Sequence, residues 1–385
     1  MKILPARVLR LKIVRSLRRQ GFRVRRGRIL PPAAITKAHC RYLHKMAVAK
    51  TISLAKDQIR QYEGDLLQFI ANGWEVRPSA VRPALQLVNP GTEEALLFRY
   101  ACLHWSIPVS QGYGRRLRFL IKDQSNGKLI GILGLGDPVY SMKARDNWIG
   151  WTSEAKRRNL YHVLDAYVLG AVPPYSSLLC GKLVALLALS NEVRNVFREK
   201  YTGAQSLISG VQHPPYLVLL TTTSALGRSS IYNRMKLNGR QFWTSVGYTQ
   251  GSGEFHFSNG VYADMRAFAE SKCDPSAKQA AWGKGFRNKR EVIKKCLPRV
   301  GLSSDLMYHG VQREIFVAPL AEGALSLLRG DVQLPCFWDS PADQLSDAFL
   351  QRWLLPRAER VLEFLEFDRE SYRLWPNRQG RGSNA

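Results

Sequence analysis

The chain has 385 residues, 45% of them apolar, enough for one large domain or two modest ones. Its 57 Lys and Arg stand against 30 Asp and Glu, a formal net charge of +27. Such a field favours a polyanionic partner, nucleic acid first, because cations that replace condensed counterions on phosphates drive binding. No apolar run of about 18 residues exists, which excludes a predicted membrane-spanning helix, and Cys40, Cys102, Cys180, Cys273, Cys296 and Cys336 lack the close spacing of a zinc site.

The first 56 residues hold sixteen Lys or Arg and no acid. Leu4, Val8, Leu11, Val14 and Leu17 recur at helical spacing, and Gly21 stops the helix. Phe22 and Val24 then alternate with Arg23 and Arg25, the period of a short strand. A second helical stretch runs from about Thr36 to Ile70 and ends at Asn72-Gly73. Residues 1–75 read as a basic, mostly helical module. The N-terminus lacks the unbroken apolar core of a secretory signal, and the chain is expected in the cytoplasm with its thiols reduced.

Residues 74–108 read as a connector broken by Arg77-Pro78, Arg82-Pro83 and Asn89-Pro90, with a short helix over 92–103. The α/β core is expected over 115–260. Asn126-Gly127 marks a hairpin, 162–169 a strand, 176–190 a helix, 216–223 a central strand and 228–237 a short helix. A closing hairpin is expected from 241–249 and 253–259. Residues 275–300 form a second basic island, and the segment from 336 is helical with a disordered tail, NRQGRGSNA.

Several long strings carry a resemblance: RYACLHWSIPVSQGYGRRLRFLI, KLIGILGLGDPVYSMKARDNWIGW, DAYVLGAVPPYSSLLCGKL, TTTSALGRSSIYNRMKL and HGVQREIFVAPL. Together they resemble the protein A family of the Druantia anti-phage defence system, over roughly residues 75–330. The resemblance implies bacterial antiviral defence alongside a large helicase-like protein and other Druantia subunits, and carries no catalytic residue. It frames a domain over 76–335. The order of core elements is also similar to the GCN5-type N-acetyltransferase fold, so the expected class is α/β with a mixed sheet. The loop that would cradle an acyl-CoA pyrophosphate, GAVPPYSSLLCGK, lacks Gly-rich spacing, and Pro173 and Pro174 have no N–H to donate.

The nucleic-acid candidates follow from the charge. Arg15, Arg18, Arg19, Arg23, Arg25 and Arg26 belong to the N-terminal module, and Lys284, Arg287, Lys289 and Arg290 to the second island. Arg145, Trp148, Arg157 and Arg158 mix cations with an indole that stacks on a base; alternatively Trp148 and Trp151 anchor the core and Asp146 pairs with Arg145. Arg228 and Arg234 follow a buried strand, where α/β proteins bind ligands; alternatively Ser229 or Ser230 caps a helix there. His162 suits a structural role better than a general base, since Asp165 points to the other face of the strand. Tyr113 sits between two glycines, in a turn or against a ligand.

No metal-binding or P-loop pattern is present, so neither metal nor cofactor is expected and ATP hydrolysis would fall to a partner. The sequence is read as a DNA-binding subunit. The alternatives are an enzyme, either an acyltransferase or a nuclease using Asp123, Asp137, Asp146 or Asp165, and a scaffold that binds acidic proteins.

Overall fold

The computed structural model describes residues 3–26, 28–30, 36–109, 114–205, 210–237, 239–258, 260–275, 282, 286–332 and 334–375, the side chains of 286 and 287 excepted. A mixed seven-stranded sheet organises them. Its strands are β1 (Pro83–Leu87), β2 (Arg116–Asp123), β3 (Leu129–Gly136), β4 (Val163–Ala171), β5 (Leu219–Thr223), β6 (Thr244–Tyr248) and β7 (Glu314–Pro319). They lie in the order β6-β7-β5-β4-β3-β2-β1. Every pairing is antiparallel except β4 with β5.

The helices used below are α1 (Ala6–Arg19), α2 (Lys37–Ile59), α3 (Glu93–Leu103), α4 (Lys143–Ile149), α5 (Ser153–Asn159), α6 (Cys180–Leu187), α7 (Asn191–Tyr201), α8 (Val261–Lys272), α9 (Phe286–Arg299) and α10 (Ala342–Phe349). The sheet is covered on both faces. Ile130, Leu133 and Leu135 of β3 pack with α6, α7 and α10, while Leu129 and Ile132 of the same strand pack with α3 and the end of α2. A strand buried on both sides reads as a continuous apolar run, and β3 is buried along its whole length. Antiparallel neighbours need only tight turns, whereas the parallel step from β4 to β5 needs a long crossover, which α6 and α7 supply.

The Asn126-Gly127 hairpin, the strand expected at 162–169 (observed at 163–171) and α1 stand where the sequence placed them, although α1 buries Leu9, Ile13 and Leu17 and leaves Val8 and Leu11 of the expected stripe exposed. Thr36 caps α2, its hydroxyl accepting from the His39 amide at 3.1 Å. Three expectations fail. Residues 83–87 form an edge strand, since Pro83 takes the first strand position, where a missing N–H costs little. Residues 228–235 are turns instead of a helix, because the buried Glu314 carboxylate takes the Ser229 amide (3.2 Å) and the Asn233 side chain (3.2 Å). The closing hairpin does not form: β6 pairs with β7, and Phe255–Phe257 is a 3-10 turn.

The segment between β6 and β7 has its own core. Leu9, Ile13, Leu17, Phe22, Ile29, Cys40 and Leu43 pack with apolar residues of α8, α9 and the 300–311 stretch. Residues 4–43 therefore share a core with residues 255–311, whereas Ile59, Leu66, Leu67 and Ile70 of the expected 1–75 module pack in the sheet core. The two basic regions, far apart in sequence, belong to one lobe.

Inside that lobe the rings of His44, His256 and His309 surround Phe255. Burial pushes His256 and His309 down to about 3, and His104, on the sheet side, likewise. Each is neutral in the folded chain, whereas in the unfolded chain it protonates near 6.5. The unfolded state therefore binds more protons between about pH 6.5 and 3, so the stability these groups contribute is full above 6.5 and lost as pH falls through that window. Denaturant melts at pH 7.5 and 5 should show the lower value at pH 5, and His256→Asn should shrink the difference. Equal stability at both pH values contradicts neutral burial.

The C-terminal segment is stitched onto the sheet layer. Glu63, buried, accepts from Tyr100 Oη (3.0 Å) and the Leu374 amide (2.7 Å), and Arg369 pairs with Glu75 at 3.0 Å. Gly73 donates its amide to the Phe367 carbonyl at 2.7 Å, and a Cβ there would collide with the carbonyls of Phe364 and Leu365. Gly73→Ala should cost about 1–3 kcal/mol by overpacking and expose the last helical turns to protease. Wild-type melting with no new cleavage there would contradict the docking. The NRQGRGSNA tail lies outside the described residues.

Candidate nucleic-acid interface and the central cleft

α1 buries Leu9, Ile13 and Leu17, so its remaining faces point outward. Arg15, Arg18 and Arg19 are exposed, as are Arg23, Arg25 and Arg26 of the hairpin that follows. None has a carboxylate partner among the described residues. Lys12 and Arg28, by contrast, pair with Asp264 (2.5 Å) and Asp305 (3.2 Å). The hairpin continues the apolar pattern, with Phe22 and Ile29 in the core and the guanidinium groups on the outside. Unpaired cations in water keep their full field for a phosphate.

The second island differs. Lys284 lies outside the described residues, as does the side chain of Arg287, although its backbone belongs to α9. Lys289 and Arg290 are half-buried. Lys289 donates to Ser258 Oγ at 2.5 Å, and Arg290 lies 3.7 Å from Glu254. Burial pushes the Glu254 carboxyl up against the pull of these two cations. They brace α9 inside the lobe, a correction to their expected place on a phosphate track. Lys294 and Arg299 are the exposed cations of this helix among the described side chains.

Arg145 also departs from expectation. It is fully buried, donating to Asp146 Oδ1 (2.6 Å), the Val139 carbonyl (2.9 Å) and the Tyr140 carbonyl (3.1 Å). Asp146 takes a second cation, Lys156, at 2.7 Å. Trp148 is partly buried against the Ile149 and Val163 core, and Trp151 donates to the Leu328 carbonyl. A guanidinium committed on this many sides has no face for a phosphate. Arg157 and Arg158 on α5 are exposed, Arg158 paired to Glu154 at 3.1 Å in a surface contact of small worth.

The sequence pointed to two parts of the cleft, the Arg228 loop and the GAVPPYSSLLCGK loop, but not to the whole, because its wall residues come from six separate stretches. Pairing of β4 with β5 runs from Val163 with Leu219 to Asp165 with Thr221 and stops there. Beyond that point the strands diverge around a cleft of about 670 Å³. This is a topological switch point at the carboxyl ends of parallel strands, the usual ligand position in α/β sheets. Lys37 and Arg41 of α2 reach it from the basic lobe, and Arg228 from the loop after β5. All three are exposed and without a carboxylate partner among the described residues.

Two more cations stand in the cleft walls. Lys182 donates to the Ile231 carbonyl at 3.0 Å, and burial pushes its ammonium down to about 8. Arg313 donates to the carbonyls of Ser224 (2.7 Å) and Thr223 (3.2 Å), closing the end of β5. Asp165 is the one lining carboxylate among the described residues; burial raises its pKa, and Thr221 Oγ1 donates to it at 2.7 Å. Arg234, the other loop candidate, is exposed nearby, and its carbonyl accepts weakly from Lys182.

His162 is buried and bonded to the Tyr216 carbonyl at 2.8 Å, the structural role expected of it. Tyr113 lies outside the described residues. Asp123, Asp137 and Asp146 are held by separate protein donors: Tyr175 Oη, Arg115 and Arg145, respectively. Among the described residues no group of three acids, histidines or cysteines is placed to hold a metal ion, and no helix is long and apolar enough to cross a membrane.

Fold and site thus define a mixed α/β protein with a cation-bearing cleft at the switch point of its sheet and an unpaired arginine surface on an adjoining lobe. A family model described as Druantia protein DruA matches residues 34–330. The Druantia protein DruA of Escherichia coli (strain UMEA 4076-1) is 39% identical over 373 residues, covering 96% of this chain and 90% of that protein. The chain belongs to the Druantia DruA family, and with it to anti-phage defence. No solved structure matches it.

Proposed function

We propose that this chain is the nucleic-acid-binding subunit of an anti-phage defence complex, acting on DNA in the cytoplasm beside a large helicase-like protein. One observation carries the reading: Arg15, Arg18, Arg19, Arg23, Arg25 and Arg26 are gathered on one small lobe, exposed and without acidic partners among the described residues. An excess of cations held apart from acids costs self-repulsion in the free protein, which a polyphosphate removes. The sequence resemblance supports a helicase-like partner, and chemical work on ATP would fall to it.

The experiment is a titration of the purified chain against duplex and single-stranded DNA between about 50 and 200 mM salt. Six phosphate contacts predict a fall in affinity of about a thousandfold over that range. Binding that ignores salt, or none at all, overturns the reading.

A second reading is an enzyme on an acetyltransferase-like scaffold. The strand order, with a single parallel pair that diverges at its carboxyl end, favours it. Against it stand Pro173 and Pro174, which offer no amide where a pyrophosphate would rest. Thermal stabilisation by acetyl-CoA would support this second reading. A third, a scaffold that docks an acidic protein, predicts co-purification that survives nuclease.

A further inference from the structure

We propose that the cleft between β4 and β5 holds a nucleotide, its phosphate at the mouth between Arg41 and Arg228 and its base inward on the free edge of β4. Three independent features of the cleft support this.

The first is charge. Five cations line the cleft against one carboxylate, Asp165, which is engaged by Thr221. Lys182 and Arg313 spend donors on backbone carbonyls, whereas Lys37, Arg41 and Arg228 at the mouth have no carboxylate partner among the described residues. An anion of small size is what such a mouth selects, and guanidinium pairs suit phosphate.

The second is the inner wall. His104 and Tyr372 stack at 3.5 Å between ring centroids, and both line the cleft. Tyr372 is 94% buried, the complement of its 6% exposure. Its Oη and His104 Nε2 are buried atoms with no hydrogen-bond partner among the described residues. Native proteins rarely leave such atoms unsatisfied, and a ligand's polar groups are one way to satisfy them. Burial keeps the imidazole neutral at pH 7, so its ring nitrogens comprise one donor and one acceptor. The Trp105 indole lies over Gly170 of β4, where a Cβ would approach it to 3.0 Å.

The third is shape. β4 loses its partner after Asp165, so its edge from Tyr167 to Ala171 faces the cleft. Backbone groups on a strand edge match the alternating donors and acceptors of a base. The volume, about 670 Å³, suits a mononucleotide or dinucleotide and not a duplex. The nucleotide is either free in solution or the terminal unit of a strand, and the chemistry at the cleft is the same.

The test uses the full chain and isothermal titration with ADP and dAMP, then with a single-stranded oligonucleotide carrying or lacking a 5′-phosphate. ADP or dAMP should bind, and Arg41→Ala combined with Arg228→Ala should weaken binding about tenfold or more. Both side chains are exposed, so this variant should melt as the parent does. Tyr372→Phe, which keeps the ring and removes the hydroxyl, should weaken it as well. Competition by the 5′-phosphorylated strand and not its unphosphorylated twin assigns the site to a strand end; no competition assigns it to a free nucleotide.

Absence of binding by both nucleotides and by the phosphorylated end overturns the proposal. So does unchanged affinity in the double variant, or stabilisation by acetyl-CoA without any by ADP. Glutamate at Arg18, Arg19, Arg25 and Arg26 should leave ADP binding intact, so failure of the surface reading and failure of this one are separately visible.

Discussion

Exchanging Arg18, Arg19, Arg25 and Arg26 together for Glu is expected to lower affinity for duplex DNA at least a hundredfold. It should also reduce the slope of log affinity against log salt by about three to four. The four side chains are exposed and lack acidic partners among the described residues, so the substitution breaks no ion pair. It replaces attraction by repulsion at the same points. The apolar residues that hold α1 and the hairpin in place, Leu17, Phe22 and Ile29, are untouched, so the variant should keep its melting temperature. An unchanged salt slope would remove the lobe from the account.

Arg145→Ala is expected to cost about 3–5 kcal/mol of stability, the range for breaking a buried, hydrogen-bonded charge pair. It strips donors from Val139, Tyr140 and Asp146 at once and opens a void beneath Trp151, whose ring lies 5.3 Å from the guanidinium carbon. Lys156 remains to share the Asp146 charge, which keeps the loss from being larger. Arg157→Ala, twelve residues along and exposed on α5, should stay within about 0.5 kcal/mol. The contrast is read by denaturant melts. Equal stability of the two variants would show that the Arg145 network contributes nothing.

Arg145 and Arg157 are indistinguishable as letters in a basic, Trp-rich stretch, and only packing separates them. Period and turn chemistry are local properties, which is why α1, the Asn126-Gly127 hairpin and β4 were legible. The β6–β7 pair was not, because its partners are separated by the whole α8–α9 insertion, and no local pattern encodes a pairing at that range. Residues 228–235 carried helix-like composition, yet a single buried carboxylate, Glu314, from a strand far along the chain fixed them as turns.

The arginine surface was visible in the first 26 residues as a run of cations without acids. The cleft was not. Lys37, His104, Lys182, Arg313 and Tyr372 converge on it from unrelated positions. The local hints were Arg228 just after a β-forming run and the GAVPPYSSLLCGK loop, and both line it.

The central claim is that unpaired arginines of the lobe meet the phosphates. Arginine footprinting tests it most directly: modification of guanidinium groups by phenylglyoxal, with and without a short DNA duplex, read residue by residue by mass spectrometry. The account predicts protection at Arg15, Arg18, Arg19, Arg23, Arg25 and Arg26, with Arg145 unreactive in both states. Bound DNA that leaves those six as reactive as in the free chain would contradict it.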